Sequence, residues 1–112
     1  MGKRGFIGEF EQVVLLAILQ LKDQAYAPDI SRKLELDAGR PVSRGSLYST
    51  LDRLERKGFL QWRIEASSEN REGHQKRCFS VTAAGVGALR ASREMLQTLW
   101  KGLDEVLTEP AS

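Results

Sequence analysis

The stretch Val42–Gly58, VSRGSLYSTLDRLERKG, constrains the fold more than any other part of the chain. Ser43 is a suitable N-cap, because its hydroxyl can accept from the free amides of a first helical turn. Gly58 is suited to end the helix, because glycine adopts the left-handed conformation that closes a C-terminus. Three leucines recur between them at helical spacing: Leu47, Leu51 and Leu54. The stretch therefore predicts an amphipathic helix with one buried stripe.

The polar face of this helix has two interpretations. It carries Gly45, Ser49, Asp52, Arg53 and Arg56, with Ser46 and Tyr48 on its flanks. Small hydroxyls and a glycine near the N-terminal end allow close approach to another surface, and the arginines suit phosphate oxygens. The helix is therefore expected either to lie in the major groove of DNA or to present an ordinary solvated face. This stretch alone does not decide between the two.

Composition indicates one small globular domain. The chain has 112 residues, of which 41% are hydrophobic and 29% charged, with a net charge of +2. This weak basic excess permits a nucleic-acid partner without arguing for one. From Val42 to Ile64 there are five Lys or Arg against two acids, whereas from Ala83 onward there are three against four. The basic excess therefore coincides with the central helix.

The residue types and motifs present in the chain argue against several classes of protein. The single cysteine, Cys78, excludes an intramolecular disulfide and is typical of a reducing compartment. No N-terminal signal sequence is visible, and the apolar run Val13–Leu21 is too short to span a bilayer, so we expect a cytoplasmic protein without a membrane partner. His74 and Cys78 are too few for a zinc site. There is no nucleotide-binding glycine pattern and no evident partner for the histidine, so we predict no metal, no cofactor and no enzyme.

Two helices are predicted before the central one. The first, from about Gly8 to Lys22, is apolar nearly all round, which suggests that a second subunit covers part of it. The second begins at Pro28 and stops near Ala38-Gly39, ahead of Pro41. After Gly58 the apolar residues alternate in residues 60–65 and 76–82. This period predicts a β-hairpin around a polar loop, Ser67–His74, with Trp62 packed between hairpin and helix.

A long last helix is predicted after the hairpin. Thr82 caps it, and it extends from Ala83 to about Leu107, roughly 25 residues or ~37 Å. From Leu96 onward the apolar spacing alternates between three and four, as in a helix that packs on another helix. Because three helices and a hairpin already close a domain, we interpret it as a dimerisation arm; the alternative is a helix folded back on the same domain. The predicted division is residues 1–82 for DNA binding and 83–112 for dimerisation.

The order of elements predicts a mainly α fold with a small β-hairpin, a winged helix-turn-helix followed by the long C-terminal dimerisation helix. In such a fold the third helix enters the major groove and the hairpin forms a wing. The predicted wing tip holds four donors suited to phosphate oxygens, namely Arg71, His74, Lys76 and Arg77. Glu69 and Glu72 in the same tip weaken that interpretation.

Several blocks of the chain resemble the PadR family of bacterial transcriptional repressors. They are VLLAIL (14–19), Ala25-Tyr26, Ile30, VSRGSLYSTLDRLERKGFL (42–60) and FSVTAAG (79–85). The resemblance runs from Glu9 to the last helix, and a single helix after the wing is similar to the family's short subgroup. It implies a homodimer with two recognition helices on a two-fold operator. It singles out Tyr48, with Ser43, Arg44, Ser46 and Ser49 around it, and Lys76 as the basic wing residue.

The chain departs from the family pattern in two places. Ala27 stands where a glycine is common, and Gly73-His74-Gln75-Lys76 replaces a common Gly-Arg-Pro-Arg. Both affect the expected wing contacts more than the fold. The resemblance also implies that an aromatic ligand can stack on Trp100 inside the dimer interface, although a core role is the commoner one and a pocket needs a void. The expected ligand contacts are Trp100, Phe10 and Leu96, with Phe6, Met95 and Leu99 nearby.

The sequence thus predicts a homodimeric repressor on a palindromic promoter site in double-stranded DNA. The predicted DNA-binding residues are Ser43, Arg44, Ser46, Tyr48, Ser49, Arg53, Arg71, His74, Lys76 and Arg77. The predicted dimer interface is Phe10, Val14, Leu96, Leu99, Trp100, Leu103 and Val106. Release would follow a change in dimer angle, with a small apolar effector near Trp100 as one candidate trigger. The alternative is a winged-helix protein–protein interaction module with weak or no specific DNA binding, which salt dependence would distinguish.

Overall fold

The computed structural model describes residues 7–65 and 76–108, and its elements follow the predicted order. The helices and strands are α1 (Glu9–Leu21), α2 (Ala27–Ala38), α3 (Arg44–Arg56), β1 (Leu60–Glu65), β2 (Lys76–Val81), α4 (Ala83–Trp100) and α5 (Asp104–Thr108), with a short 3-10 turn at Lys22–Gln24. The two strands form one antiparallel sheet. This is the mainly helical winged helix-turn-helix that the sequence predicts.

Local signals place the helix ends close to the predicted positions. The Ser43 hydroxyl accepts a hydrogen bond from the Ser46 amide at 3.1 Å and begins α3. The Thr82 hydroxyl accepts from the Gly85 amide at 3.1 Å and begins α4. Gly58 has a φ of 82° and turns the chain from α3 into β1. These boundaries are fixed by side chains within a few residues of each end.

The core lies between the first three helices and the foot of the hairpin. Its members include Leu15 and Ile18 of α1, Ile30 and Leu34 of α2, the predicted leucine stripe of α3, and Phe59, Leu60 and Phe79. Val14 is 0% exposed within the single chain. It has no surface left for a second subunit, and this corrects its assignment to the dimer interface. The apolar residues that α1 leaves exposed are Leu16 and Leu19.

The hairpin is fastened to the rest of the domain at its foot. The Phe79 amide donates to the Ala25 carbonyl at 2.9 Å, which ties β2 to the connection between α1 and α2. The buried Cys78 thiol donates to the Asp23 carbonyl at 3.4 Å in the same connection. Trp62 packs partly against the core, as predicted, whereas Ile64 is exposed because the hairpin has left the core at that point. The predicted polar loop, Ser67–His74, lies outside the described residues.

The C-terminal segment differs from the single long helix predicted. Helix α4 ends at Trp100, Gly102 adopts a φ of 81°, and α5 begins at Asp104. The helical spacing of apolar residues continues across this break, which is why one helix is predicted. A glycine in the left-handed conformation nevertheless ends a helix, whatever residues surround it. Every residue from Arg93 to Thr108 is exposed, so this segment does not fold back into the core of its own domain. None of the helices in residues 7–65 and 76–108 combines the length and the apolar character that a membrane span requires.

Candidate nucleic-acid interface

The start of α3 presents an open polar surface. Arg44, Ser46 and Ser49 are exposed there, on the side away from the buried Leu47. A Cβ built on Gly45 would meet no described atom within 4 Å, so another molecule can approach the backbone closely. An arginine fork suits the paired acceptors of guanine, and a hydroxyl can donate or accept at a base edge. The Ser43 hydroxyl accepts the helix-capping amide with one lone pair, and its proton and second lone pair remain available.

Tyr48 connects α3 to two neighbouring clefts. One cleft, of about 380 Å³, lies between the start of α2, α3 and the wing strand. It is lined by Tyr26, Ala27, Pro28, Asp29, Tyr48, Lys76, Arg77 and Phe79. The other, of about 330 Å³, is lined by Ala27, Pro28, Ser31, Arg44, Leu47 and Tyr48. Tyr48 lines both, so the structure brings Arg44, Tyr48, Lys76 and Arg77 onto one side of the molecule.

Aromatic rings support the two wing cations. The Lys76 ammonium lies 5.8 Å from the centroid of the Tyr26 ring, and the Arg77 guanidinium lies 5.0 Å from that of Trp62. Both cations are exposed. Cations at these distances are attracted by the face of the ring, which limits the directions in which the side chains extend. The exposed charges of β2 are therefore held near the cleft.

Tyr26 joins the start of α2 to the wing. Its hydroxyl donates to Glu65 Oε1 at 3.2 Å. Glu65 lies directly opposite Lys76 in the register of the two antiparallel strands. Desolvation, followed by the charge of Glu65, raises the pKa of Tyr26 above its ordinary value. The hydroxyl therefore remains a donor at neutral pH. Tyr26 was part of the resemblance, but its partner could not be predicted, because the contact joins positions 39 residues apart.

Arg53 does not lie free on the polar face of α3. Its Nε donates to Glu11 Oε2 of α1 at 2.8 Å, and a terminal nitrogen lies 3.4 Å from Thr50 Oγ1. The Arg53 side chain is 45% exposed. One of the predicted DNA contacts is therefore held by another helix of its own chain.

Glu11 is a functional candidate that sequence reasoning missed. Its side chain is 6% exposed, and its carboxylate also accepts from Lys57 Nζ at 2.8 Å and from the Gly8 amide at 2.8 Å. Burial alone would raise the pKa of Glu11, but hydrogen bonds from Lys57, Gly8 and Arg53 lower it to about 2. The sequence does contain one signal for this role, because Glu11 lies on the same helical stripe as the buried apolar residues of α1. A charge in that position needs a partner from elsewhere in the fold.

Two predicted DNA-binding residues, Arg71 and His74, lie outside the described residues, as does Phe6. Among the described residues, no group of three or more His, Cys, Asp or Glu side chains could hold a metal ion.

Trp100 lies on the exposed apolar segment rather than in the core. A shallow cleft of about 480 Å³ beside it is lined by Gln12, Arg93, Leu96, Gln97, Trp100, Lys101, Gly102 and Asp104. Leu96 and Trp100, two of the predicted ligand contacts, both line this cleft. Phe10 does not line this cleft within one chain, because its ring lies under the Arg40 guanidinium at 5.3 Å. The other predicted interface residues of this segment, Leu99, Leu103 and Val106, are all exposed.

Solved structures with the same fold are known. A PadR-like transcription factor from Bacteroides fragilis is 29% identical with a TM-score of 0.60, over 88% of this chain and 86% of that one. A PadR-like transcriptional regulator from Bacillus cereus is 23% identical with a TM-score of 0.69, over 90% and 93%. A PadR family regulator from Eggerthella lenta is 24% identical with a TM-score of 0.65, over 91% and 88%. No curated protein matches the chain.

A family of sequences also matches the chain. The family described as transcriptional regulator PadR-like matches residues 15–91, from α1 through the first half of α4. This region includes all of the candidate interface in the described chain, and the family is one of regulators rather than enzymes. The chain belongs to the PadR-like family of transcriptional regulators.

Proposed function

We propose that this regulator is a repressor that binds a palindromic promoter site as a homodimer. The observation that supports it best is the common surface formed by the start of α3 and the wing strand. There Arg44, Ser46 and Ser49 are exposed on the same turns of α3 as Tyr48, and Lys76 and Arg77 line one cleft together with Tyr48. A helix end that can read bases and a pair of cations that can hold phosphates are the two parts of a specific DNA interface.

The groups on this surface divide by chemistry. Arg44, Ser46 and Ser49 would contact base edges, because they lie on the exposed first two turns of α3. Lys76 and Arg77 would contact phosphates, which carry no sequence information but fix the orientation of the protein. Tyr48 lies between the two groups and would set the register of the helix against the backbone. Specificity would therefore depend on the helix, and salt-sensitive affinity on the wing.

A second copy would cover the exposed apolar residues. Leu16 and Leu19 of α1 and Leu99 of α4 are large apolar side chains exposed at the surface, which association with a second copy would bury. Residues 83–112 would then form the dimerisation segment. Two recognition helices about 34 Å apart would match two half-sites one turn apart. A small apolar molecule in the cleft beside Trp100 would release the DNA by changing that separation.

The deciding experiment is titration of the protein against the DNA upstream of its own gene at two salt concentrations. A scrambled duplex of equal length and composition is the control. We expect tight binding to one short palindrome, with an affinity that falls steeply as salt rises, because each phosphate contact releases counterions. Weak binding that is equal on both duplexes would contradict the proposal. It would favour instead a module that contacts another protein through the apolar surface of α4 and α5.

A further inference from the structure

One buried acid joins the first helix to the recognition helix. Glu11 accepts from Arg53 Nε at 2.8 Å and from Lys57 Nζ at 2.8 Å, although these partners lie 42 and 46 residues further along the chain. Among the described residues, Glu11 and Thr50 are the polar or charged ones that are buried. Thr50 is also part of this contact, because its hydroxyl lies 3.4 Å from an Arg53 nitrogen. These two buried polar side chains thus meet at Arg53, where α1 and α3 adjoin.

This contact constrains the helices in a way that the leucine stripe does not. Apolar contacts are close-packed but non-directional, so the leucine stripe alone sets no bond direction between the two helices. Charge-assisted hydrogen bonds have short preferred lengths and defined directions. Two cations held on one carboxylate therefore set the distance between the first turn of α1 and the C-terminal end of α3. The Gly8 amide fixes the carboxylate in turn, since it donates to Glu11 Oε1 at 2.8 Å.

Helix α1 also has an outward side. Leu16 and Leu19 are exposed on it, whereas Glu11, Leu15 and Ile18 are buried. The same short helix therefore contacts the recognition helix on one side and carries apolar residues that a second copy would cover on the other. A group that fixes α3 against α1 thereby fixes it against the partner subunit.

We propose that Glu11 is a positioning residue for DNA binding, which sets the place of α3 in the dimer by holding Arg53 and Lys57. The inference rests on the proposed function, because it concerns the spacing of two recognition helices on one operator. It gives Arg53 an internal role in place of the phosphate contact that the sequence predicts. Glu11 itself touches no DNA.

The test compares Glu11→Gln with Glu9→Gln in the full chain. Glutamine keeps the shape of the side chain and can still accept from Gly8, but it removes the charge that holds two cations. Glu9 is a matched control: it lies in the same turn and pairs with Arg40 at 2.8 Å, but both side chains are exposed. Operator affinity and its salt dependence are measured by fluorescence anisotropy, at a temperature where circular dichroism shows all proteins fully folded.

We expect Glu11→Gln to weaken operator binding by about tenfold, a size usual for coupling between separate sites, and Glu9→Gln to leave it unchanged. The slope of log affinity against log salt should stay at the wild-type value, because no phosphate contact is lost. Unchanged operator affinity in folded Glu11→Gln would overturn the inference while leaving the proposed function intact. A wild-type protein without specific binding would overturn both.

Arg53→Gln supplies a second test that does not depend on the folding of the first variant. If Arg53 acts through Glu11, this variant weakens binding without changing the salt slope. In the double variant with Glu11→Gln the two losses should be far from additive, because both remove the same contact. A slope reduced by about 0.9 per subunit would instead identify Arg53 as a phosphate contact and overturn the inference.

Discussion

Glu11 Oε2 lies 2.8 Å from Arg53 Nε, although the two residues are 42 positions apart in the chain. The contact closes the domain between its first helix and its recognition helix. A buried carboxylate is unfavourable unless it is paired, and here Arg53, Lys57 and the Gly8 amide together supply the pairing. Removing the partners of such a group leaves a buried charge without compensation, which destabilises a fold more than the pair itself stabilises it.

Acid should therefore weaken the fold through Glu11. Its pKa falls from 4.5 to about 2 on folding, so the folded state favours the ionised form. The resulting stability is fully present above pH 4.5 and is lost as the pH falls through 2. The loss should be on the order of 2 kcal/mol, after a reduction for the partial exposure of both cations. Urea unfolding of the wild type at pH 6 and at pH 1.5 gives the total change, of which Glu11 contributes this part.

The comparison with two variants isolates this group. Glu11→Gln should be less stable than the wild type at pH 6, and its free energy of unfolding should vary less between the two pH values. Glu9→Gln should retain the wild-type variation, because its pair with Arg40 is exposed. Equal pH dependence in the wild type and Glu11→Gln would contradict the assigned pKa.

Gly85 should be intolerant of any side chain. A Cβ at this position would lie 2.4 Å from the Phe59 carbonyl oxygen and 2.7 Å from a methyl group of Val81. The backbone of α4 therefore approaches the start of the wing too closely for alanine, and Gly85→Ala should cost about 1–3 kcal/mol of unfolding free energy. Chemical denaturation followed by circular dichroism gives the value.

Gly87 is the matched control for that change, two residues along the same helix. A Cβ there would meet nothing within 4 Å in the described part of the chain. Gly87→Ala should therefore stabilise α4 by about 0.5–1 kcal/mol, because alanine loses less conformational freedom in a helix. Similar effects of both substitutions would show that the close approach at Gly85 is not what decides stability.

The sequence was sufficient for the elements whose determinants are local. Ser43 and Thr82 cap their helices, and Gly58 turns the chain, through contacts within a few residues. Alternation identified both strands, and helical spacing identified the leucines that α3 buries. Each of these signals is carried by neighbours along the chain, so no knowledge of tertiary packing was needed.

Three features depend on packing or backbone conformation that periodicity does not encode. Helical spacing placed Val14 on an apolar stripe but could not tell how fully its own chain covers it. Arg53 was assigned to the polar face, and only the fold brings Glu11 within reach of it. The helical spacing of apolar residues in the predicted last helix continues across Gly102, where the backbone turns. In each case the missing information was a contact distant in sequence or a single glycine's backbone conformation.

Lys76 should contribute to affinity through phosphate alone. Lys76→Ala should reduce the slope of log affinity against log salt by about 0.9 per subunit, or about 1.8 for a dimer. Affinity for the operator and for a scrambled duplex should fall by similar factors, because a phosphate contact carries no sequence information. Titrations at four or more salt concentrations give the slope.

Lys101→Ala is the control for the wing, since this exposed lysine lies beyond α4 and lines neither of the two clefts beside Tyr48. It should leave the salt slope at the wild-type value. Equal slopes for Lys76→Ala and the wild type would remove the wing strand from the DNA contact surface. A loss of operator binding alone would instead make Lys76 a base-reading residue.

Leu99 should hold two subunits together without supporting the fold of either. It is 65% exposed in the single chain, and Leu96 and Trp100 beside it are also exposed. Leu99→Asp would place a charge in an apolar interface, where it has no solvent or partner. We expect the variant to be monomeric at micromolar concentration by light scattering, with an unchanged circular dichroism spectrum.

Leu36→Asp is the control, because Leu36 on α2 is 73% exposed and lies outside the proposed interface. A dimeric Leu99→Asp variant would place the subunit contact elsewhere. A monomeric variant that has lost operator affinity would connect assembly to DNA binding, because one recognition helix reads only half of a two-fold site.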